Sequence, residues 1–135
     1  MDYNKLINAA IEARKLAYVP YSNFAVGAAI LTKSGNVITG CNIENAAFSP
    51  TNCAERTAVF KAVSEGITDF TAIVVVGGSK DGELQYCFPC GVCRQVLKEF
   101  APLTLNIIVA KSAEEYQIYT LEDLLPHGFG PEDIS

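Results

Sequence analysis

The stretch Ala72-Ile73-Val74-Val75-Val76 is apolar at every position and β-branched at four of five, and Gly77-Gly78 follows it. A strand with one wet face would alternate, so this run predicts a central strand covered on both sides, closed by the glycines. Downstream, after a polar excursion, residues 90–100 read as a helix with Val96, Leu97 and Phe100 on one side and Pro102 as its stop. Residues 105–109 form a second buried-type strand, residues 117–120 a short edge strand, and residues 121–125 a helical turn before Pro126.

Upstream, residues 52–65 read as a helix ended by Gly66. Residues 24–32 and 36–41 read as two strands joined by Lys33-Ser34-Gly35, a hairpin. Residues 4–18 form an amphipathic helix, with Leu6, Ile7, Ala10, Ile11 and Ala17 near helical spacing and Pro20 as the stop. Helices thus alternate with strands around a hydrophobic centre. The expectation is an α/β fold, a three-layer mixed β-sheet with helices on both faces, built as one domain over residues 1–135.

Half of the residues are hydrophobic and 19% are charged, so the composition is that of a folded globular chain without disordered tracts. Fifteen acidic against ten basic residues give a net charge of -5, and no basic run offsets it. A polyphosphate would be repelled, so the expected partner is a neutral small molecule and not nucleic acid. No apolar stretch is long enough to span a bilayer. The start, Met1-Asp2-Tyr3-Asn4-Lys5, lacks the apolar core of a signal peptide, and a cytoplasmic protein is expected.

Five cysteines, Cys41, Cys53, Cys87, Cys90 and Cys93, in a chain without an export signal point to thiolate chemistry or metal and away from disulfides. Cys53 begins Cys53-Ala54-Glu55-Arg56, and Cys90 and Cys93 lie in Pro89-Cys90-Gly91-Val92-Cys93-Arg94, each segment at the start of a predicted helix. Unpaired backbone N–H groups and the helix dipole favour the thiolate there, the form that binds metal. Cys90 and Cys93, three residues apart, share a helical face. Three thiolates leave one corner of a tetrahedral Zn2+ site open, as in catalytic and not structural zinc. Glu55, two residues from Cys53, is badly placed as a ligand and well placed as a proton carrier.

Each motif alone has plainer readings. C-x-x-C also fits a redox pair or half of a structural zinc site, and Cys-Ala-Glu is ordinary in any helix. Together, C-x-E followed by P-C-x-x-C is the all-cysteine variant of a zinc-deaminase signature. With Pro20-Tyr21-Ser22-Asn23-Phe24-Ala25-Val26-Gly27, Gly40-Cys41-Asn42-Ile43-Glu44-Asn45-Ala46 and Leu124-Leu125-Pro126-His127-Gly128-Phe129, the chain resembles the small homotetrameric branch of the cytidine deaminase family along nearly all its length.

That resemblance implies Zn2+ on Cys53, Cys90 and Cys93, Glu55 as catalytic acid and base, and hydrolysis of cytidine and deoxycytidine to the uracil nucleosides and ammonia in pyrimidine salvage. It implies that Asn42 and Glu44 hold the ribose 3′-hydroxyl, that Phe24 walls the base, and that the Ala54 backbone reads the pyrimidine edge. Phe129 would reach into a neighbouring subunit, giving a homotetramer with shared sites. Three thiolates weaken zinc's pull on its water, and Arg56 is expected to offset this by hydrogen-bonding ligand sulfurs. Without the resemblance, Phe24 and Phe129 would be core aromatics, Asn42 and Glu44 loop residues, and Arg56 a solvated helix arginine.

Cys41 and Cys87 are read as small buried or loop cysteines, His127 as a surface residue, and Phe48, which carries no hydroxyl, as a packing residue. Two other functions stay open on the sequence. One is deamination of another cytosine nucleoside, such as a nucleoside antibiotic. The other is a non-catalytic zinc module closed by Cys41 or Cys87 as a fourth ligand.

Overall fold

The structure is a computed structural model that describes residues 2–135. In chain order the elements are α1 (Asn4–Arg14), β1 (Phe24–Thr32), β2 (Val37–Cys41), α2 (Ala54–Ser64), β3 (Phe70–Ser79), α3 (Gly91–Phe100), β4 (Asn106–Ala110), β5 (Tyr116–Thr120) and α4 (Leu121–Leu124), with a 3-10 turn at Pro131–Asp133. The sheet order is β2-β1-β3-β4-β5. Only β3 and β4 run parallel; β1 pairs antiparallel with β2 and β3, and β5 antiparallel with β4. The parallel pair needs a crossover, and the segment containing α3 supplies it.

Alternation along β3 divides the interior. Ile73 and Val75 face one core with Ala58, Val59 and Ala62 of α2, Leu97 of α3 and Leu121 of α4. Ala72, Val74 and Val76 face the other, with Tyr3, Leu6, Ile7 and Ala10 of the α1 region. Every residue from Ala72 to Val76 is buried, as a strand between two helical layers requires. The three-layer α/β architecture follows from that run.

Two boundaries differ from expectation by more than two residues. The first helix stops at Arg14, not residue 18, and Lys15, Leu16 and Ala17 continue as turns with i to i−3 bonds. Arg14 is the reason: its guanidinium donates to the carbonyls of Ala25, Gly78 and Ser79 at 2.7–3.0 Å, fixing the helix end to the strands. Gly77-Gly78 does not close the central strand, which pairs with Val26 and Ala25 through both glycines and ends at Ser79. Bare backbone there lets the 83–87 segment cross the strand, since a Cβ at Gly77 would lie 2.8 Å from Cys87 Sγ.

No helix of the described residues is long and apolar enough to cross a membrane.

Candidate active site

Cys53 and Cys90 occupy the N-cap positions of α2 and α3, both with extended backbone and neither with a side-chain capping bond. The helix therefore begins at the residue after each cysteine, and both sulfurs sit where unpaired N–H groups concentrate positive charge. The approach to Cys53 is fixed by a two-way bridge between Ile43 and Asn52, with N···O distances of 3.0 and 2.9 Å. α2 comes down directly on β2 at Gly40, where a Cβ would lie 2.5 Å from Ala58 N. Before α3, Arg94 clamps the approach, its Nε donating to Pro89 O and an Nη to Leu124 O, both at 2.7 Å.

The Sγ atoms of Cys53, Cys90 and Cys93 lie within 4.8 Å of one another, and Cys53 and Cys90 are 3.7 Å apart. Zinc–sulfur bonds of about 2.3 Å in a tetrahedron place sulfurs about 3.8 Å apart, so the donor set fits Zn2+. Arg56 Nη2 donates to Cys53 Sγ at 3.3 Å, while its Nε is buried without a partner among the described residues. An arginine is held here against its own desolvation because the thiolate cluster is negative, and Cys53 makes the guanidinium still harder to deprotonate. Hydrogen bonds from Cys93, Arg56 and Cys90 pull the Cys53 thiol down to about 5 despite burial. Cys93, its hydrogen-bonding partner, is pushed up.

Glu55 follows one residue into α2 and is 4% exposed. Burial raises its carboxyl to about 7, and the Cys53 charge adds to the shift. A carboxyl poised near neutrality both takes and gives a proton, which suits it to acid and base work.

These groups border a cavity of about 240 Å3 lined by Phe24, Val26, Asn42, Cys53, Ala54, Glu55, Cys87, Phe88 and Cys90. Asn42 is clasped to β1, accepting from Val26 N and donating to Phe24 O, both at 2.9 Å. Glu44 faces an adjoining groove with Tyr21, Ser22, Phe48 and Thr51. It accepts from the backbone N–H of Tyr21 and Ser22 and from the Ser22 hydroxyl, which holds it below the usual carboxylate range. Phe129 lies elsewhere, 58% exposed, in a surface hollow with Gln95 and Glu99. Phe48 is 70% exposed and meets Tyr21 edge-on. His127 is exposed.

Among the described residues the metal-type cluster contains neither Cys41 nor Cys87. Burial raises both thiols, Cys87 to about 11. The convergence of three sulfurs alone leaves the fourth-ligand module without its fourth sulfur. Phe88, Val26 and Arg94 were not singled out from sequence, although Phe88 and Arg94 directly flank the P-C-x-x-C motif.

Three convergent sulfurs, two of them at helix N-termini, with a buried carboxyl beside them, define the class of a zinc hydrolase. Comparison with known proteins narrows the class. The family model for the cytidine and deoxycytidylate deaminase zinc-binding region matches residues 1–109. A cytidine deaminase of Halalkalibacterium halodurans is 50% identical over all of this chain and 99% of its own. The crystal structure of a cytidine deaminase from Burkholderia pseudomallei superposes with a TM-score of 0.85 at 45% identity, over 96% of this chain and 100% of that one. A blasticidin-S deaminase of Bacillus cereus is 32% identical over 90% of this chain and 88% of its own. The chain belongs to the cytidine and deoxycytidylate deaminase family.

Proposed function

We propose that this protein deaminates cytidine and deoxycytidine hydrolytically to uridine and deoxyuridine with release of ammonia, in pyrimidine salvage in the cytoplasm. The observation that carries the reading is the buried Glu55 carboxyl beside three convergent sulfurs on one small cavity. Cys53, Cys90 and Cys93 would hold the zinc, which when bound would supply Lewis acidity and lower the pKa of water to about 7. Glu55 accepts the proton released as water oxygen adds to C4 of the base. It delivers that proton to N3, takes the second from the C4 hydroxyl as the carbonyl forms, and passes it to the departing amine, acting as base and acid in turn. Arg56 steadies the charge on Cys53, Phe24 walls the base, and the Ala54 backbone reads its polar edge. Asn42, at the cavity, and Glu44, in the adjoining groove, bind the ribose.

The whole chain acts as a single catalytic domain and assembles as a homotetramer. Phe129 is exposed and outside its own chain's cavity, which supports a role in a neighbour's site; Tyr18, Tyr21, Ile43 and Phe48 are exposed apolar surface that association would cover. Phe129→Ala keeps the backbone carbonyl that Gln95 Nε2 holds at 2.8 Å, so it tests the ring alone. Cytidine turnover should fall about tenfold or more with the assembly intact; unchanged turnover would return Phe129 to packing.

The deciding experiment follows ammonia release from cytidine, deoxycytidine, cytosine, adenosine, a cytosine oligonucleotide and blasticidin S, with and without a zinc chelator. Chelator-sensitive release from the two cytosine nucleosides alone supports the proposal. Preferential release from blasticidin S would favour the antibiotic reading that the Bacillus cereus relative suggests.

A further inference from the structure

Cytidine and its analogues differ most simply at C5, and the cavity has one wall that the assigned residues leave unexplained. Phe24, Val26, Asn42, Ala54 and Glu55 come from β1, the end of β2 and the start of α2. The remaining wall is Cys87, Phe88 and Cys90, from the segment leading into α3. A pyrimidine reacting here must set C4 beside the sulfurs and N3 toward Glu55 on α2. The ring neighbour of C4 that remains is C5, and it is left to the second wall.

We propose that Phe88 is a specificity-determining residue whose ring meets the C5 edge of the base and excludes cytosine nucleosides substituted there. The proposal rests on the nucleoside reading above and gives it a substrate boundary.

The ring is held as a wall must be. Pro89 restricts the backbone of Phe88 to extended conformations, and the Pro89 carbonyl is itself fixed by Arg94. On the other side Cys87 lies over the bare backbone of Gly77, with no room for even a Cβ between them. The Phe88 ring meets Tyr119 of β5 edge-to-face, centroids 5.4 Å apart and planes at 63°. Tyr119 is in turn oriented by its hydroxyl, which donates to Gln117 Oε1 at 2.9 Å. A phenylalanine that served only to pack on Tyr119 would be covered; Phe88 remains 40% exposed and opens onto the cavity. A fixed ring beside a close-fitting base rejects an added carbon, and one such carbon is typically discriminated by roughly 10–200-fold.

The test compares kcat/KM for cytidine, 5-methylcytidine and 5-bromocytidine in the zinc-loaded wild type and in Phe88→Ala, Phe88→Leu and Tyr119→Leu. The quantity read is the ratio of each 5-substituted nucleoside to cytidine, so a general loss of activity cancels. The wild type should disfavour 5-methylcytidine by about tenfold or more. Phe88→Ala should raise the ratio at least about tenfold, Phe88→Leu by less, and Tyr119→Leu least, because the ring stays but loses its support. If Phe88→Ala does not fold, Phe88→Leu decides. Ratios within about twofold of wild type in the folded Phe88 variants, with cytidine turned over normally by the wild type, overturn the role of Phe88 alone. No cytidine turnover by the wild type would sink the nucleoside reading, and this inference with it.

Discussion

The two helices that bring sulfur to the site are placed by different means. α2 rests on the sheet by shape: Ala54, Ala58, Val59 and Ala62 are fully buried, and the missing side chain of Gly40 lets its backbone meet β2. α3 packs Leu97 into the same core and is held in addition by polar side chains. Arg94 binds Pro89 and Leu124, Gln95 binds the Phe129 carbonyl, and buried Lys98 reaches Glu132 at 2.5 Å. A fault under α2 is therefore a packing fault in the main core, whereas a fault at α3 is the loss of a few directed bonds to the C-terminal arm. The first should be felt globally and the second locally.

Replacing a ligand tests what the helices share. Cys53→Ala and Cys90→Ala should each abolish zinc binding and turnover together, read by metal content and ammonia release, because two remaining thiolates do not hold the ion. A full zinc equivalent in either variant would show that the ligand set is different.

Glu55→Gln separates chemistry from placement. Turnover should fall roughly 10²–10⁴-fold with zinc retained, since an amide keeps the shape and carries no proton. Stability should move the other way. The folded carboxyl titrates near 7 against an ordinary value of 4.5, so its favourable neutral form is fully present below about pH 4.5 and is lost as pH rises through 7. Metal-free Glu55→Gln should then be more stable than metal-free wild type by on the order of 3 kcal/mol above pH 7, with the gap closing below pH 4.5. Denaturant titrations at pH 4 and 8 check both ends.

Gly40→Val acts on α2 alone. A side chain there meets backbone, which cannot swing aside, and the cost should be about 3 kcal/mol or more, seen as a lower midpoint for the entire unfolding transition. Arg94→Ala should cost less, about 2 kcal/mol for two lost charge-assisted bonds. Its signature is local: zinc should be surrendered to a competing chelator about tenfold more readily while the main unfolding transition keeps its cooperativity. Equal global losses in the two variants would erase the distinction between the helices.

The layers and the ligands were legible in sequence for the same reason. Ala72-Ile73-Val74-Val75-Val76 needs cover on both faces whatever surrounds it, and Cys53 and Cys90 take the N-cap positions that their places before the two helices predict. What escaped depends on distant partners. Gly77-Gly78 has the appearance of a stop, and only the crossing of residue 87 shows why a long strand carries two glycines. The end of α1 is set by strand carbonyls that Arg14 finds eleven to sixty-five residues away. Phe88 becomes part of a cavity only through Gly77, Tyr119 and the facing strands. Glu44 and Asn42 were noticed through resemblance, and spacing alone does not foretell that one borders the metal cavity and the other the groove beside it.

The clasp of α3 on residues 124–132 also bears on the order in which the chain acquires competence during synthesis. The strands and the Gly40 seat on which α2 rests are translated by the end of β3, while Leu97 and Leu121, which complete its core, come later. Arg94, Gln95 and Lys98 meanwhile emerge before the carbonyls and carboxylate they grip. The helix that carries Cys90 and Cys93 therefore finds its full set of holds only when residues 124–132 are free of the tunnel. Emergence of residues 124–132 is then the moment at which the helix that carries Cys90 and Cys93 is locked.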